Sequence, residues 1–353
     1  MAAMKNQSLK RWIIKQAKQV GIDKIGFTYA ENFEYLRHRL TEEKEKGYTT
    51  DFEHDNLDER LNPKRLMPDA SSIIAIALAY PSQIKKEEID KLECVPRGLF
   101  TSSSWGEDYH RILMMKMDQL IYMIKQRCDE EFKFMPMVDT GALIDIAVAR
   151  RAGLGWVGQN GLLTTKKFGS FVYLGEIITN IELEVDKPVT NDCSRCKKCI
   201  KACPTGALLG NGKMNSKKCL SYLTQAKGVM PLKYRQNLQN VIYGCDICQL
   251  ACPHNQGKNF YLHEEMKPTV DDVMPDLEAL IQMSNREFKE RFGYLAGSWR
   301  GKNPLQRNAI YALANLGNVD SIPFLEKLAN DPRAEIRDAA EWAVKHLIVY
   351  RCV

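Results

Sequence analysis

Apolar and polar positions along the first half of the chain predict a mixed α and β architecture. Short apolar runs predict strands, and longer amphipathic stretches predict helices. The segment 61–69 contains Pro63 and Pro68, so we expect a loop or a broken helix there. The predicted strands are 24–29, 71–80, 132–139, 162–165 and 170–178, and the predicted helices are 8–20, 31–46, 108–127 and 143–151.

The C-terminal region shows a different pattern, made of helices alone. Helical spacing of apolar residues covers 303–316, 321–329 and 335–346. The runs 308–313 and 338–344 are alike, and such recurrence is typical of HEAT-type helix pairs. So short a repeat must bury its apolar face against a neighbour, so we expect it to dock on the preceding domain.

Between these regions, the stretch from Cys193 to Pro253 is rich in cysteine. It opens with the spacing C-x2-C-x2-C-x3-C-P, which ends at Pro204 and is typical of bacterial ferredoxins. In that pattern the fourth cysteine binds a second cluster, so the ligands cross over between the two motifs. The sequence predicts one [4Fe–4S] cluster on Cys193, Cys196, Cys199 and Cys252, and another on Cys203, Cys219, Cys245 and Cys248.

Two alternatives for these cysteines are less favoured. Paired C-x2-C motifs also form zinc ribbons, but zinc needs four ligands and does not need triplets followed by Cys-Pro. A radical enzyme with a C-x3-C-x2-C motif is excluded, because Gly206 and Asn255 occupy the positions where the third cysteine would be required.

The glycine-rich run Gly153-Leu-Gly155-Trp-Val-Gly158 matches the pattern of a dinucleotide-binding loop. That loop must follow a strand and open a helix, whereas here a predicted helix precedes it. We therefore do not predict a Rossmann fold. The glycines lead us to expect a backbone that a flat or bulky ligand can approach closely.

Composition agrees with a multidomain protein in a reducing compartment. The chain has 353 residues, of which 44% are hydrophobic and 27% charged. No apolar run is long enough to cross a bilayer, so we expect no membrane association. Eight cysteines assigned to metal imply reduced thiols and a cytoplasmic location, with Cys94, Cys128 and Cys352 left as plain thiols.

Positive charge is concentrated in residues 187–240. Eleven basic side chains accompany a single acidic one, Asp192, so this segment carries +10 and the rest of the chain −4 of the net charge of +6. A polyanion such as nucleic acid is a natural partner for such a segment, although a solvated basic face beside the clusters would give the same composition.

A carboxylate at the end of a predicted strand is the leading catalytic candidate. Asp139 follows Phe134-Met-Pro-Met-Val and precedes Thr140-Gly141, so it lies on a turn after a strand, where ligands are often bound. Its pattern alone fits a helix N-cap as well as a proton donor, and it favours the cap.

Several runs resemble the epoxyqueuosine reductase family. They are Val138-Asp139-Thr140 with the stretch 150–160, the segment Cys219-Leu-Ser221-Tyr-Leu-Thr-Gln225, the segment 243–249, and the helical tail after Trp299-Arg300-Gly301. The resemblance covers nearly the whole chain. It implies domains at 1–185, 186–262 and 263–353: a cobalamin-binding catalytic α+β domain, a ferredoxin-like domain with two clusters, and a linker followed by HEAT-like helices.

The resemblance also implies an activity and a site. The family reduces epoxyqueuosine in the anticodon loop of tRNA to queuosine, with cobalamin and two [4Fe–4S] clusters fed by an external electron donor. Asp139 would be the general acid, with a pKa raised by burial. A D-x-H-x-x-G cobalamin motif is missing, since Leu113 stands where glycine is required after His110. The implied cobalamin contacts are Arg60, Asp139, Trp156, Asn160, Ser170 and Ser221.

The segment between Cys219 and Cys245 is longer than cluster binding requires, so we expect it to line the substrate entrance. Its predicted tRNA-binding residues are Gln225, Lys227, Lys233 and Arg235, and Arg300, Lys302 and Arg307 would extend this basic wall. We expect a monomer. The alternatives are a cobalamin-dependent reductase related to reductive dehalogenases, acting on a small molecule, and a non-enzymatic cobalamin or electron carrier.

Overall fold

The computed structural model describes residues 2–128, 132–190, 193 and 195–351, with side chains described between residues 8 and 349. Asp192 and Cys352, which entered the charge and thiol counts above, lie outside these residues. No helix in the described part of the chain is long and apolar enough to cross a membrane.

The structure confirms the predicted order of strands and helices, with shorter elements between them. The strands are β1 (Lys24–Tyr29), β2 (Ser72–Ala79), β3 (Leu99–Phe100), β4 (Phe134–Met137), β5 (Trp156–Val157), β6 (Leu163–Thr164), β7 (Val172–Thr179), β8 (Leu208–Gly210), β9 (Lys213–Met214) and β10 (Val241–Tyr243). The helices are α1 (Ala2–Gln19), α2 (Arg37–Glu45), α3 (Leu57–Leu61), α4 (Pro63–Leu66), α5 (Lys86–Ile89), α6 (Tyr109–Arg127), α7 (Asp145–Arg151), α8 (Lys198–Ala202), α9 (Leu220–Gln225), α10 (Leu232–Arg235), α11 (Ile247–Leu250), α12 (Val270–Val273), α13 (Leu277–Gln282), α14 (Asn285–Phe292), α15 (Lys302–Asn315), α16 (Ile322–Lys327) and α17 (Ala334–Arg351).

An antiparallel sheet in the order β1–β2–β7–β4 organises the N-terminal part. All eight residues of β2 are buried, because the strand is central and both faces of the sheet are covered. Side chains alternate between the faces. Ile74 and Ile76 pack with α1 and α6, whereas Ile73 and Ala75 pack with α7 and the region around Leu61.

The helix predicted over 31–46 starts later than expected. It begins with a 3-10 turn at Glu34–Leu36 and becomes α-helical only in α2. Phe33 is buried and its N–H donates to Leu61 O, which fixes the chain before the helix. The broken helix predicted near Pro63 is confirmed, because Asn62 is extended between α3 and α4 and caps the second of them.

The glycine-rich run connects α7 to the β5–β6 hairpin and brings backbone against backbone. A side chain at Gly155 would meet Thr164 O at 2.2 Å, and one at Gly153, whose φ is +75°, would meet Lys187 O at 2.6 Å. The expectation that these two glycines admit a ligand is therefore wrong, since their neighbours belong to the same chain. The rejection of a Rossmann loop agrees with the helix that precedes the run.

The C-terminal helices dock on the cysteine-rich part, as predicted. Arg307 and Asn308 of α15 are buried and donate hydrogen bonds to main-chain carbonyls of residues 223–228 and 242. One hydrophobic cluster extends from Phe100 to Leu347 and includes residues on both sides of the predicted limit at 262. The sequence analysis missed α13 and α14; the signal for α14 was the capping box of Ser284 and Glu287.

Candidate active site and cluster-binding cysteines

Four cysteines from the two ends of the cysteine-rich stretch line one cavity. They are Cys193, Cys196, Cys199 and Cys252, the set predicted for the first cluster. Helix α8 carries Cys199 and packs against α11, which brings the two motifs together. These cysteines surround a space instead of converging on a point, an arrangement that fits a cluster of several atoms.

The other four predicted ligands, Cys203, Cys219, Cys245 and Cys248, influence one another's pKa values. Burial, together with the nearby Cys219, Asp246 and Cys203, raises the pKa of the Cys245 thiol to about 12. Cys248 is likewise buried next to Cys245 and Cys219, and its pKa is raised. Bound iron would hold these groups as thiolates instead. These four cysteines thus lie close enough to interact electrostatically, and the assignment of each cysteine to a cluster stays a prediction.

The predicted cobalamin contacts Trp156 and Asn160 lie next to cysteines of the two sets. The Trp156 indole N–H donates to Cys193 Sγ at 3.4 Å, and Asn160 lines the first cavity while hydrogen-bonding to Cys248. Both side chains are buried. The structure thus places both side chains beside the predicted cluster ligands, and their contact with cobalamin stays a prediction.

Ser170 is also buried, in a polar network that joins the sheet to the cysteine-rich part. Its hydroxyl donates to Gln249 Oε1 at 2.8 Å, and its N–H donates to Asn255 Oδ1 at 2.8 Å. Gln249 in turn donates to Asp246 Oδ1. Ser170 thus links the sheet to the cysteine-rich part through its hydroxyl, and its contact with cobalamin stays a prediction.

Asp139 lies at the end of β4, where the backbone is strained. Its φ is +48°, which is uncommon for a residue other than glycine. Tyr109 OH donates to Asp139 Oδ2 at 2.8 Å, and His110 Nε2 lies 3.5 Å from the same oxygen. The Asp139 side chain remains 63% exposed, so it can reach a bound molecule.

The pKa predicted for Asp139 is wrong in direction. The ion pair with His110 holds the pKa of the Asp139 carboxyl below its ordinary value, even though partial burial of the carboxyl opposes this. The hydrogen bond to Asp108 and the ion pair with Asp139 raise the pKa of His110 to about 9. At neutral pH the pair is therefore a carboxylate beside an imidazolium, and the proton is on His110.

Two buried carboxyl groups lie beneath this pair. Asp145 Oδ2 accepts the backbone N–H of Asp139 at 3.0 Å, and Asp145 hydrogen-bonds to Glu176 of β7. Burial, reinforced by the Asp139 charge, raises the pKa of Asp145 to about 7, and burial raises that of Glu176 well above its ordinary value. Asp145 thus helps to hold the Asp139 turn in place.

A polar and aromatic wall includes the predicted residues Ser221 and Gln225. Gln225 Oε1 accepts hydrogen bonds from Tyr243 OH at 3.2 Å and from Trp299 Nε1 at 3.0 Å, while its amide donates to Ser221 O. The negative charge of Asp139 contributes to a raised pKa at Tyr243, so this wall lies near the Asp139 site. The space between them is called the cleft below.

An aromatic stack links the same site to the second set of cysteines. Tyr109 stacks on Tyr173 with ring centroids 4.3 Å apart, and Tyr173 contacts Tyr80 at 4.4 Å. Tyr80 in turn lies close enough to Cys248 for a thiolate there to raise the pKa of the Tyr80 hydroxyl. The second set of cysteines is therefore the one nearer the cleft. A separate cavity of about 1040 Å³ lies against α1 and α6 and contains none of the predicted site residues.

At the rim of the wall, N-terminal and C-terminal residues meet. Phe52 contacts Tyr222 at 5.1 Å and Trp299 at 5.3 Å, and Arg300 lies over Phe52 while pairing with Asp51 at 3.0 Å. Arg60 is close by in sequence and pairs with Glu53 at 3.3 Å.

The basic residues predicted to bind tRNA separate into two groups. Lys227 and Lys233 are exposed. Arg235 is only 2% exposed and pairs with Asp338 beneath the Tyr311 ring, so its assignment to the tRNA-binding surface is wrong. Arg307 is buried as well, and Lys302 donates to Met283 O. Sequence alone did not distinguish these cations, because their partners are distant in the chain.

Four side chains of the Asp139 site were not predicted from the sequence. Tyr109, His110, Asp145 and Glu176 lie on three different elements, α6, α7 and β7. The available signal was Asp108-Tyr-His110 at the start of a long helix, where two titratable rings follow a loop. Glu176 gave a second signal, because a carboxylate within an apolar strand requires a buried partner.

Comparison with known proteins agrees with this arrangement. A family model described as a 4Fe-4S double cluster binding domain matches residues 192–255, which confirms the prediction of two [4Fe–4S] clusters in an iron–sulfur protein. A second model, described as epoxyqueuosine reductase QueG, DUF1730, matches residues 60–140.

Similarity to individual proteins extends over almost the whole chain. The epoxyqueuosine reductase of Lactococcus garvieae is 52% identical over 97% of both chains, and that of Bacillus subtilis is 48% identical over 95% of this chain and 87% of its own. A crystal structure of epoxyqueuosine reductase with an epoxyqueuosine-modified tRNA-Tyr stem loop is 46% identical, with a TM-score of 0.91 over 96% of this chain and 90% of that one. This chain belongs to the epoxyqueuosine reductase family and is an oxidoreductase.

Proposed function

We propose that this chain reduces the epoxide of epoxyqueuosine in a tRNA anticodon loop, giving queuosine, with cobalamin and two [4Fe–4S] clusters. The observation that carries the proposal is the position of the Asp139–Tyr109–His110 group near a wall that leads to the second set of cysteines. Family membership and the relative solved with a modified tRNA stem loop support it.

The reaction sets what the site must supply. Converting an epoxide to an alkene breaks both carbon–oxygen bonds, forms the carbon–carbon double bond and releases the oxygen as water. This requires two electrons and two protons. The clusters bring the electrons one at a time, and the residues of the cleft bring the protons.

The His110–Asp139 pair is suited to proton delivery. His110 holds a proton at neutral pH and its Nε2 faces Asp139 Oδ2, while the Asp139 side chain is 63% exposed and can reach a substrate. In this proposal Asp139 passes the His110 proton to the departing oxygen, and the Tyr109 hydroxyl orients the carboxylate through its hydrogen bond. A Bacillus subtilis relative solved with its catalytic aspartate loop swung out of the active site supports a role for such a turn.

The cleft residues fit a corrinoid. The Ser221 hydroxyl, the Gln225 amide and the Tyr243 hydroxyl offer hydrogen bonds to peripheral amides, and Trp299 offers an aromatic surface. Both ring nitrogens of His110 face carboxylates, so His110 is not placed to serve as a metal ligand. Bound cobalamin would supply a reduced, nucleophilic cobalt. The predicted cobalamin contacts Arg60, Asp139, Trp156, Asn160, Ser170 and Ser221 all stay proposals.

The cleft rim fits an RNA loop. Unpaired bases stack on aromatic rings and on guanidinium planes, and Phe52, Tyr222, Trp299 and Arg300 present such surfaces together. In this proposal Gln225 contacts the loop, and the exposed Lys227 and Lys233 contact phosphates of the stem.

The remaining expectations complete the proposal. The first cluster takes Cys193, Cys196, Cys199 and Cys252, and the second takes Cys203, Cys219, Cys245 and Cys248. The domains are 1–185, 186–262 and 263–353, the last with HEAT-like helices. The protein works as a monomer in the cytoplasm and receives electrons from an external donor.

The test is conversion of an epoxyqueuosine-containing tRNA stem loop by the anaerobic, cofactor-loaded protein with a strong reductant. We expect queuosine to form with the parent and with Asp118→Asn on α6, whereas Asp139→Asn should retain its iron content and lose at least about 100-fold in turnover. Full activity in Asp139→Asn would remove this residue from the mechanism. Clusters that are reduced without any conversion of tRNA would support an electron carrier instead.

A further inference from the structure

A compact basic surface surrounds the first set of cysteines, and tRNA binding at the cleft does not account for it. Arg195, Lys197, Lys198 and Lys201 are all exposed, and residues 193–201 contain no acidic side chain. No salt bridge found within the described part of the chain involves any of these four cations. All four side chains are therefore accessible to a partner.

The surface is formed by a cysteine loop and by α8. Lys198 and Lys201 are three positions apart, so they project from the same side of this short helix. Cys199, on the buried side, lines the first cavity, and the helix packs there against α11 and β8. The cations thus lie directly outside the first cluster, with only the helix between.

The second set of cysteines lies nearer to the cleft than the first set does. The aromatic stack and Tyr243 connect the second set to the cleft, whereas Asn160 separates the second set from the first. An electron that reaches the cleft through both clusters must therefore enter at the first. The exposed cations stand at that entrance.

We propose that Arg195, Lys197, Lys198 and Lys201 form the docking surface of a small acidic one-electron carrier protein, which reduces the first cluster. Each encounter oxidises one carrier by one electron and reduces the cluster by one, with no proton transferred. Two encounters supply the two electrons of one epoxide reduction. The inference deepens the proposed function, but its test requires no tRNA.

Charge complementarity suits this kind of partner. Electron-transfer complexes are small and short-lived, so their rates depend on electrostatic attraction during encounter more than on buried area. Opposite charges raise association rates by roughly 10- to 1000-fold at low ionic strength, and added salt removes the gain.

The experiment follows the visible absorbance of the clusters after rapid mixing with a reduced, strongly acidic ferredoxin. For the parent protein we expect a second-order rate that falls steeply with salt. The variant Lys197→Gln/Lys198→Gln/Lys201→Gln should react at least about tenfold more slowly at low salt. It should also bind the oxidised ferredoxin more weakly in calorimetry, while its iron content and its reduction by dithionite stay unchanged.

The matched control is Lys217→Gln/Lys218→Gln, which removes two exposed lysines beside Cys219 of the second set. It should react with ferredoxin at the parental rate. A parental rate in the triple variant would overturn the proposal, as would a loss of tRNA stem-loop affinity with unchanged ferredoxin kinetics, which would make this an RNA surface. If the triple variant loses iron, the test rests on the salt dependence measured for the parent protein. A rate of reduction by ferredoxin that does not change with salt would also overturn the proposal.

Discussion

At the scale of single residues, the protonation state of the Asp139 site is set by contacts. Asp139 lies beside an imidazolium and keeps its charge, while burial gives protons to Asp145 and Glu176 beneath it. A buried carboxyl without a cationic neighbour would have a raised pKa. The prediction for Asp139 was wrong because the sequence did not show that His110 lies beside it. In the proposed reaction the proton therefore comes from His110 and reaches the departing oxygen through Asp139.

The pH dependence of turnover follows from His110. Since contacts with the carboxylates of Asp108 and Asp139 raise its pKa to about 9, we expect kcat to fall as the pH rises through about 9 and the imidazolium is lost. His110→Gln should lower kcat by about 100-fold and abolish this alkaline limb. The measurement is kcat against pH at saturating tRNA stem loop, with exposed His38→Gln as control. An alkaline limb that persists in His110→Gln would assign it to another group.

The same shift affects stability. A raised pKa in the folded state means that protonated His110 stabilises the fold fully below its ordinary value of 6.5. This contribution is lost as the pH rises through about 9. Asp145 acts in the same direction, because its pKa is raised as well: the folded protein retains a proton that the unfolded chain has released. That contribution disappears as the pH rises through about 7.

At the scale of elements, the C-terminal helices hold the wall of the cleft. Arg307 of α15 donates to the carbonyls of Leu223, Ala226 and Gly228, at and just beyond the end of α9. The last carbonyls of a helix lack partners within it, and a cation there also favours the helix dipole. Because α9 carries Ser221 and Gln225, α15 positions the proposed binding residues without touching substrate.

Removing this contact should destabilise the protein. Arg307→Met leaves three carbonyls without their donor, of which the Leu223 carbonyl is buried, so we expect a loss of about 2–4 kcal/mol in unfolding free energy. The comparison is urea unfolding of the anaerobic, cluster-loaded protein against Arg286→Met, which removes an arginine exposed on α14. Equal midpoints in the two variants would mean that water or neighbouring donors replace Arg307.

At the scale of the whole molecule, positive charge serves different purposes in different places. Arg235 and Arg307 are structural and buried, the cations around the first cluster face solvent there, and Lys227 and Lys233 are exposed on the segment that follows Gln225. The sequence had predicted that these cations share one tRNA-binding surface.

The corrected tRNA prediction therefore concerns two lysines. Lys227→Ala/Lys233→Ala should weaken binding of the tRNA stem loop and reduce the slope of log affinity against log salt by about 2, roughly 1 for each phosphate contact. Stability and iron content should match those of the parent. Binding measured over a range of salt concentrations tests this, and an unchanged slope would place the RNA stem elsewhere on the molecule.

The sequence by itself determined the features that depend on local spacing. Cysteine spacing gave two [4Fe–4S] clusters, the apolar run of β2 gave a central strand, and helical periodicity gave α6 and the C-terminal helices. The motifs around Asp139 and Ser221 indicated the family. Each of these signals lies within a short segment, because metal-binding loops and regular elements repeat over a few residues.

Only the tertiary structure decided the chemistry of the cleft and the use of the charges. Tyr109, Asp139, Asp145 and Glu176 come from separate segments, and their pKa values depend on neighbours that packing brings together. Arg235 and Lys233 look equivalent in the sequence, yet Asp338, 103 residues away, makes one of them part of the core. Electrostatic energies depend on distance and burial in space, and the order of residues along the chain does not specify either.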